Sequence, residues 1–347
     1  MSPLPERKIG NARVTLLGFG GAPLGNLYAP IEEAEALASV ERAYALGLRY
    51  FDTAPHYGNG LSEHRIGHVL RRLPRESFTL STKVGRLLSP DPSAAADQHG
   101  FQAALPFTQR FDYSYDATLR SLEDSAQRLG LARIDIVYIH DIDDFTHGSA
   151  DQPARFREAM EGAYRALERL RAARAVRAIG LGVNDTQVCL DAARHGDFDG
   201  FLLAGRYTLL DQSAHAELLP LCLVRNLKLV IGGPYNSGIL ATGAVPGARY
   251  DYRPASETVL RKVAAIGAQC RRFGVPLKAA ALRFPLGHPA VAAVIPGARS
   301  PAEVEENLAL VRQPIPAEFW TSLKSEGLLP PEVPVPDGSA TDPSEGR

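Results

Sequence analysis

Four ionisable residues in the first half of the chain stand at the ends of apolar runs: Asp52 and Tyr57 in Phe51-Asp-Thr-Ala-Pro-His-Tyr-Gly58, Lys83 in Ser81-Thr-Lys-Val-Gly85, and His140 in Tyr138-Ile-His-Asp141. A buried lysine needs a carboxylate, and Asp52 is the nearby candidate. An ammonium beside Tyr57 would favour tyrosinate and draw a phenol pKa of about 10 towards neutrality, which would make Tyr57 a general acid and base. The two-residue period of a strand groups His140 with Tyr138 and Ile136, so it would point inwards with apolar residues. Taken singly, each residue has an inert reading: a helix cap, a half-buried phenol, a satisfied histidine. Their joint occurrence at strand ends is what argues for a site.

The elements that must position these residues are read from the hydrophobic pattern. Residues 7–15 alternate around the turn pair Gly10-Asn11 and read as an N-terminal β-hairpin. Strands then follow at 16–19, 49–54, 78–84, 134–139, 176–183, 200–204, 228–231 and 290–294. Amphipathic helices alternate with them at 32–46, 63–73, 114–129, 154–173, 186–194, 214–225, 257–273 and 301–311, with Gly47 as a cap on the first. Eight βα units of even size, with no linker between halves, predict an α/β fold of the (β/α)8 TIM-barrel type rather than an open sheet. Three connections exceed a simple turn, at 85–113, 140–153 and 232–256, and all follow strands. They therefore belong to the C-terminal rim, where barrel enzymes keep their sites. A single domain spanning 1–329 is expected. Residues 330–347, rich in Pro, Ser, Gly and Asp, read as a disordered tail.

Composition narrows the partners. Lys+Arg 38 against Asp+Glu 39 leaves no basic field for nucleic acid or anionic lipid. There is no run of about 18 apolar residues and no apolar leader, so no membrane span is expected. Cys189, Cys222 and Cys270 lack metal-binding spacing and suit a reducing, cytoplasmic compartment; no metal is expected. His64 and His68 are four apart but flank Arg-Ile-Gly, not a zinc-protease motif. Gly18-Phe-Gly-Gly-Ala-Pro23 lacks the third glycine of a Rossmann loop, and Pro23 interrupts the helix start.

The segment Phe51-Asp-Thr-Ala-Pro-His-Tyr-Gly-Asn-Gly-Leu-Ser-Glu63 with Ile66-Gly67 resembles the signature of the aldo-keto reductase superfamily. Ser81-Thr-Lys-Val-Gly85 is similar to that family's lysine strand, Tyr138-Ile-His140 to its histidine strand, and Ile295-Pro-Gly-Ala-Arg-Ser-Pro301 through Glu306-Asn307 to its nucleotide segment. The resemblance implies Tyr57 as proton carrier, Lys83 and Asp52 as a tuning pair, His140 orienting the substrate oxygen, and an NADP or NAD cofactor held without a Rossmann domain. Cofactor contacts are implied at Asn184, Pro234, Ser237, Gly238, Leu240, Pro296, Gly297, Arg299, Glu306 and Asn307, with Arg299 able to meet a 2′-phosphate. The chain departs from the family where Ser-Asn usually ends strand five, having Gly182-Val183 with Asn184 one place later, and where Ala204 stands for a strand-six Gln. These departures resemble the branch of L-fucose and D-threo-aldose 1-dehydrogenases and pyridoxal 4-dehydrogenase.

The implied activity is oxidation of an aldose at C1 to a lactone, with hydride passing to the nicotinamide. Reduction of small aldehydes or ketones by NADPH, oxidation of pyridoxal, and a non-catalytic nucleotide-binding subunit are the alternatives. A small-molecule substrate is the expected partner, and no oligomeric state is specified. The loop after Lys83 is expected to cover the rim, and Phe101, Phe107, Phe111 and Tyr113 on it would either stack on substrate or anchor the loop.

Overall fold

The computed structural model describes residues 3–337. Its eight-stranded sheet consists of Phe19–Gly20, Tyr50–Asp52, Thr79–Val84, Ile136–His140, Ala178–Val183, Gly200–Ala204, Lys228–Gly232 and Val291–Ile295, with spatial order following chain order. The pairings are parallel. The two edges meet: Gly18 N–H donates to the Val294 carbonyl at 2.9 Å and Gly20 N–H to the Pro296 carbonyl at 3.0 Å, which closes the (β/α)8 barrel. Closure removes the unpaired sheet edges.

Strand alternation sends Tyr50, Ile136, Tyr138, Ala178, Leu202, Val230 and Ile295 to the interior. The antiparallel hairpin Glu6–Ile9/Ala12–Thr15 adds Ile9, Ala12 and Val14 to this cluster and so plugs one end of the barrel. Hydroxyls continue the interior upwards: Tyr50 and Tyr138 oxygens lie 3.1 Å apart, Ser81 Oγ lies 3.1 Å from Tyr50, and Ser81 donates to Asp52 Oδ1 at 2.6 Å. At Gly180 a β-carbon would come within 2.0 Å of the Gly200 carbonyl, so only glycine lets strands five and six approach there.

Helices cover the outside of the sheet, and their starts are set by capping side chains. Ser114, Asp185, Ser256 and Ser300 each accept a backbone N–H of the following turn. Gly47, at φ 93°, follows the first helix Glu33–Ala45 as the sequence predicts.

Several segments differ from the sequence reading. Residues 144–153 were expected as loop, but helix Asp144–Glu158 starts there, capped by Asp143 and interrupted at Gly148; it runs through a π-helical turn, Ala159–Ala163, into Tyr164–Ala172. Asp144–Glu158 has no buried side chain, so it carries no apolar period to read. The long connection after Lys83 folds as the antiparallel hairpin Arg86–Pro90/Phe107–Phe111. Helices Leu277–Arg283 and Ala317–Ser325 were not anticipated. The expected tail is ordered at its start: Val333 is fully buried, and a β-carbon on Gly287 would lie 2.5 Å from the Pro336 nitrogen. Residues 338–347 of that tail lie outside the described residues. Among the described residues no helix is long and apolar enough to cross a membrane.

Candidate active site

Strands two, three and four deliver Asp52, Lys83 and His140 to one rim, and the turn after strand two delivers Tyr57. Lys83 Nζ donates to Asp52 Oδ2 at 2.7 Å and to the Thr53 carbonyl at 2.9 Å, with both charged side chains buried. Burial pushes the Asp52 carboxyl up, and the Lys83 ammonium and Ser81 hydroxyl oppose that shift. Lys83 Nζ also stands 4.8 Å from the centroid of the Tyr57 ring. The phenol is nonetheless held well above its usual range, by burial first and then by the Asp52 and Asp141 carboxylates, with Arg86 acting the other way. This departs from the expected lowering of the Tyr57 pKa, because burial and the two carboxylates outweigh the cation that acts the other way.

The His140 ring packs edge-on to Tyr57, 6.2 Å between centroids. Burial, with Lys83 and Arg86 nearby, holds its imidazole well below its usual pKa, so it is neutral. His140 Nε2 lies 3.4 Å from Asp141 Oδ2, and Arg86 pairs with that same carboxylate oxygen. His56, also kept neutral by burial, bonds through Nδ1 to Gln109 Oε1 at 2.9 Å. Phe101 stands edge-on to His56 at 5.1 Å and lies 5.9 Å from Tyr57, packing the tip of the hairpin connection against the site. Tyr113 is instead an anchor: its hydroxyl lies 2.8 and 3.0 Å from the carbonyls of His140 and Asp141.

From Tyr57 and Asp52 a cavity of about 500 Å³ runs past Asn184, Ala204 and Gly232 to Ser237 and Gly238, and on to Gly297 and Arg299. Gly20, Gly21, Gly205 and Gly233 leave part of its lining bare of side chains, and a β-carbon on Gly233 or Gly238 would meet only open space. Asn236, whose side-chain nitrogen donates to the Gly205 carbonyl at 3.2 Å, keeps a buried Oδ1 without a partner among the described residues on this wall. A long groove with glycine walls, a spare buried acceptor and a phenol at one end fits a dinucleotide.

Of the residues expected to hold cofactor, Asn184, Pro234, Ser237, Gly238, Gly297 and Arg299 line this groove. Leu240 is fully buried. Pro296 and Asn307 line a smaller cavity, where Asn307 accepts from the Tyr235 hydroxyl at 2.6 Å. Glu306 pairs with Lys278 at 2.8 Å. Arg299, besides lining the groove, turns its guanidinium to backbone: Nη1 donates to the Leu27 carbonyl at 3.1 Å, and Nη2 to those of Ala29 and Pro30 at 3.1 and 2.9 Å. The Gly182 departure also has a physical reason, since a β-carbon there would lie 3.2 Å from Lys83 Cε. Sequence reasoning missed Glu303, Tyr235, Tyr252 and the residues 20–23 as groove lining, and missed Arg86 and Asp141 beside the four rim residues. The run Gly18-Phe-Gly-Gly-Ala-Pro23 held a usable signal, in that glycines at a strand end allow close approach by a ligand.

Comparison with known proteins gives the family and the fold. Residues 16–326 match the model of the Aldo/keto reductase family. The chain is 44% identical to pyridoxal 4-dehydrogenase of Microbacterium luteolum, over 91% of this chain and 95% of that protein. It is 37% identical to D-threo-aldose 1-dehydrogenase of a Pseudomonas species (94% and 98% covered) and 30% identical to L-galactose dehydrogenase of Arabidopsis thaliana (90% and 90%). Its fold matches an aldo-keto reductase from Bacillus halodurans in its holo form with a TM-score of 0.72 at 23% identity, covering 97% of this chain and all of that one.

Proposed function

The chain belongs to the aldo/keto reductase family and is an NAD(P)-dependent oxidoreductase, and on that footing we propose that it oxidises a cyclic hemiacetal to a lactone, an aldose at C1 being the substrate of first choice. The observation that carries the reading is the convergence of Tyr57, Lys83, Asp52 and His140 at one end of the groove. The nicotinamide, when bound, accepts or supplies the hydride.

Asn184, Ser237, Gly238 and Gly297 line the groove and would hold the cofactor along it. His140, neutral and edge-on to Tyr57, donates a hydrogen bond to the reacting oxygen and fixes it beside the phenol. Tyr57 takes the proton of the anomeric hydroxyl as the carbon–hydrogen bond gives up its hydride, and the carbon–oxygen single bond becomes the lactone carbonyl. In reduction, Tyr57 returns that proton. A phenol held above its usual range is protonated at neutral pH, so oxidation should quicken as the pH rises and reduction needs no prior ionisation. Lys83 and Asp52 hold the floor beneath the ring.

Pyridoxal is the second reading. Its aldehyde and neighbouring hydroxymethyl group also close to a cyclic hemiacetal, and the cluster of His56, Phe101 and His99 rings beside Tyr57 suits a flat aromatic substrate. Initial rates for L-fucose, D-arabinose, L-galactose and pyridoxal with NAD and with NADP, with mass analysis of the product, test both. Lactone formation from at least one is expected. Turnover confined to small open-chain aldehydes would overturn the hemiacetal reading.

A further inference from the structure

Arg86 follows Lys83 by three residues, opens the hairpin on the rim, and is 7% exposed. The proton transfer described above makes no use of it. Its guanidinium pairs with Asp141 Oδ2, donates through Nη1 to Gln109 Oε1 at 3.1 Å, and lies 4.3 Å over the Phe111 ring. The same Asp141 oxygen stands 3.4 Å from His140 Nε2. In a neutral imidazole one nitrogen bears the proton, and an ionised acceptor beside a nitrogen favours the proton there.

We propose that Asp141 and Arg86 are positioning residues for the acid–base pair: Asp141 keeps the His140 proton on Nε2, and Arg86 balances the Asp141 charge beside Tyr57. The inference rests on Tyr57 and His140 handling the reaction's proton. The backbone supports this placement. Asp141 is left-handed, at φ 54°, a conformation aspartate tolerates better than most residues. Its N–H donates to the Gly182 carbonyl at 3.0 Å, and the Tyr113 hydroxyl braces the peptide from the other side.

The charge arrangement explains why Arg86 is needed. Tyr57 is faced by Asp52 from strand two, by Lys83 and Arg86 from strand three and the hairpin, and by His140 and Asp141 from strand four. His56 on its own turn and Tyr252 from the segment across the groove complete the set. Asp141 opposes ionisation of the phenol and Arg86 favours it. Without Arg86 the carboxylate would act on Tyr57 and His140 uncompensated, raising the phenol further and favouring imidazolium.

The test is a double-mutant cycle on Arg86→Gln and Asp141→Asn, read as the pH dependence of kcat/KM for oxidation. Arg86→Gln should move the rising limb to higher pH by about one unit, and Asp141→Asn should move it to lower pH, as expected for a charge a few ångströms from a titrating group. The double variant should return the limb near its wild-type position, because the net change in charge is zero. Arg86→Lys should recover the limb but not the full rate, since it keeps the charge and loses the planar fork. A purely structural pair would lower rate and stability without moving the limb, and an unmoved limb in folded Arg86→Gln overturns the proposal. Should Arg86→Gln not fold, Arg86→Lys and Asp141→Asn carry the same comparison. The tautomer is read without turnover, from imidazole nitrogen shifts of the free protein assigned with His140→Gln. Wild type should show Nε2–H and Asp141→Asn a mixture; Nδ1–H in wild type overturns the proposal. Full activity in Tyr57→Phe would instead overturn the role of Tyr57 and leave the tautomer result standing.

Discussion

Tyr57 lies between two carboxylates and two cations, and its acidity is the residue-scale property on which turnover depends. Tyr57→Phe keeps the ring over Lys83 and removes only the proton carrier. Its kcat should fall by about 10²–10⁴-fold, the range typical of general acid–base catalysis, while cofactor affinity measured by fluorescence titration stays unchanged. Retention of a tenth of wild-type kcat would contradict the assignment. Lys83 acts through a different quantity. Lys83→Met leaves Asp52 buried with no counter-charge, a change that costs about 3–5 kcal/mol in comparable buried pairs. The melting temperature should drop accordingly, and adding Asp52→Asn should restore much of the stability without restoring activity. Additive losses in the double variant would mean that the two side chains are not coupled.

At the scale of elements, the connection after strand three has two functions. Its strands carry Arg86 and Gln109 to the base of the site, and its tip, residues 91–106, carries His99 and Phe101 against the His56 ring beside Tyr57. Replacing the tip with a short Gly/Ser linker should lower kcat/KM by about tenfold or more, the equivalent of 1.4 kcal/mol of lost transition-state binding, with NAD(P) affinity little changed. Wild-type kcat/KM in that variant would move the search for specificity to the segment 140–153 or 232–256. Arg299 is an element-scale residue too, since it fastens the loop at 27–30 to the nucleotide end of the groove. Arg299→Ala should weaken NAD and NADP alike, and a loss confined to NADP would show that the guanidinium leaves those carbonyls for a 2′-phosphate. Glu303, whose carboxylate lines the same groove and accepts from Arg299 N–H at 2.8 Å, works against an added phosphate. Titration should therefore find NAD bound more tightly than NADP.

For the molecule as a whole, the barrel's stability should decline in acid through histidines buried neutral. His288 is 5% exposed, its Nδ1 accepts from Ala290 N–H at 3.1 Å, and burial with His215, Arg7 and Lys228 nearby lowers its pKa from 6.5 to about 4. Between those values the unfolded chain binds the extra proton, so the stabilisation is present above 6.5 and is lost as the pH falls towards 4. The loss amounts to about 3 kcal/mol at most. His288→Asn should flatten melting temperature against pH in that window, and an unchanged slope would refute the contribution. His56 and His140, lowered in the same direction, leave part of the slope in place.

The barrel and the identity of the rim residues were legible in the chain because they depend on local patterns. Strand and helix periods show in windows of a few residues, and Asp52, Lys83 and His140 sit at the ends of strands whose alternation sets which way they face. Residues 144–153 were not legible as the start of helix Asp144–Glu158, since that helix buries no side chain there and so writes no period. The acidity of Tyr57, the occupation of Arg299 and the Arg86–Asp141 pair could not be read locally. Arg86 meets a carboxylate 55 residues away, and Arg299 meets a carbonyl 272 residues away. A pKa or a hydrogen bond depends on which groups stand within a few ångströms and how much water is excluded, and those neighbours are set only when the barrel closes.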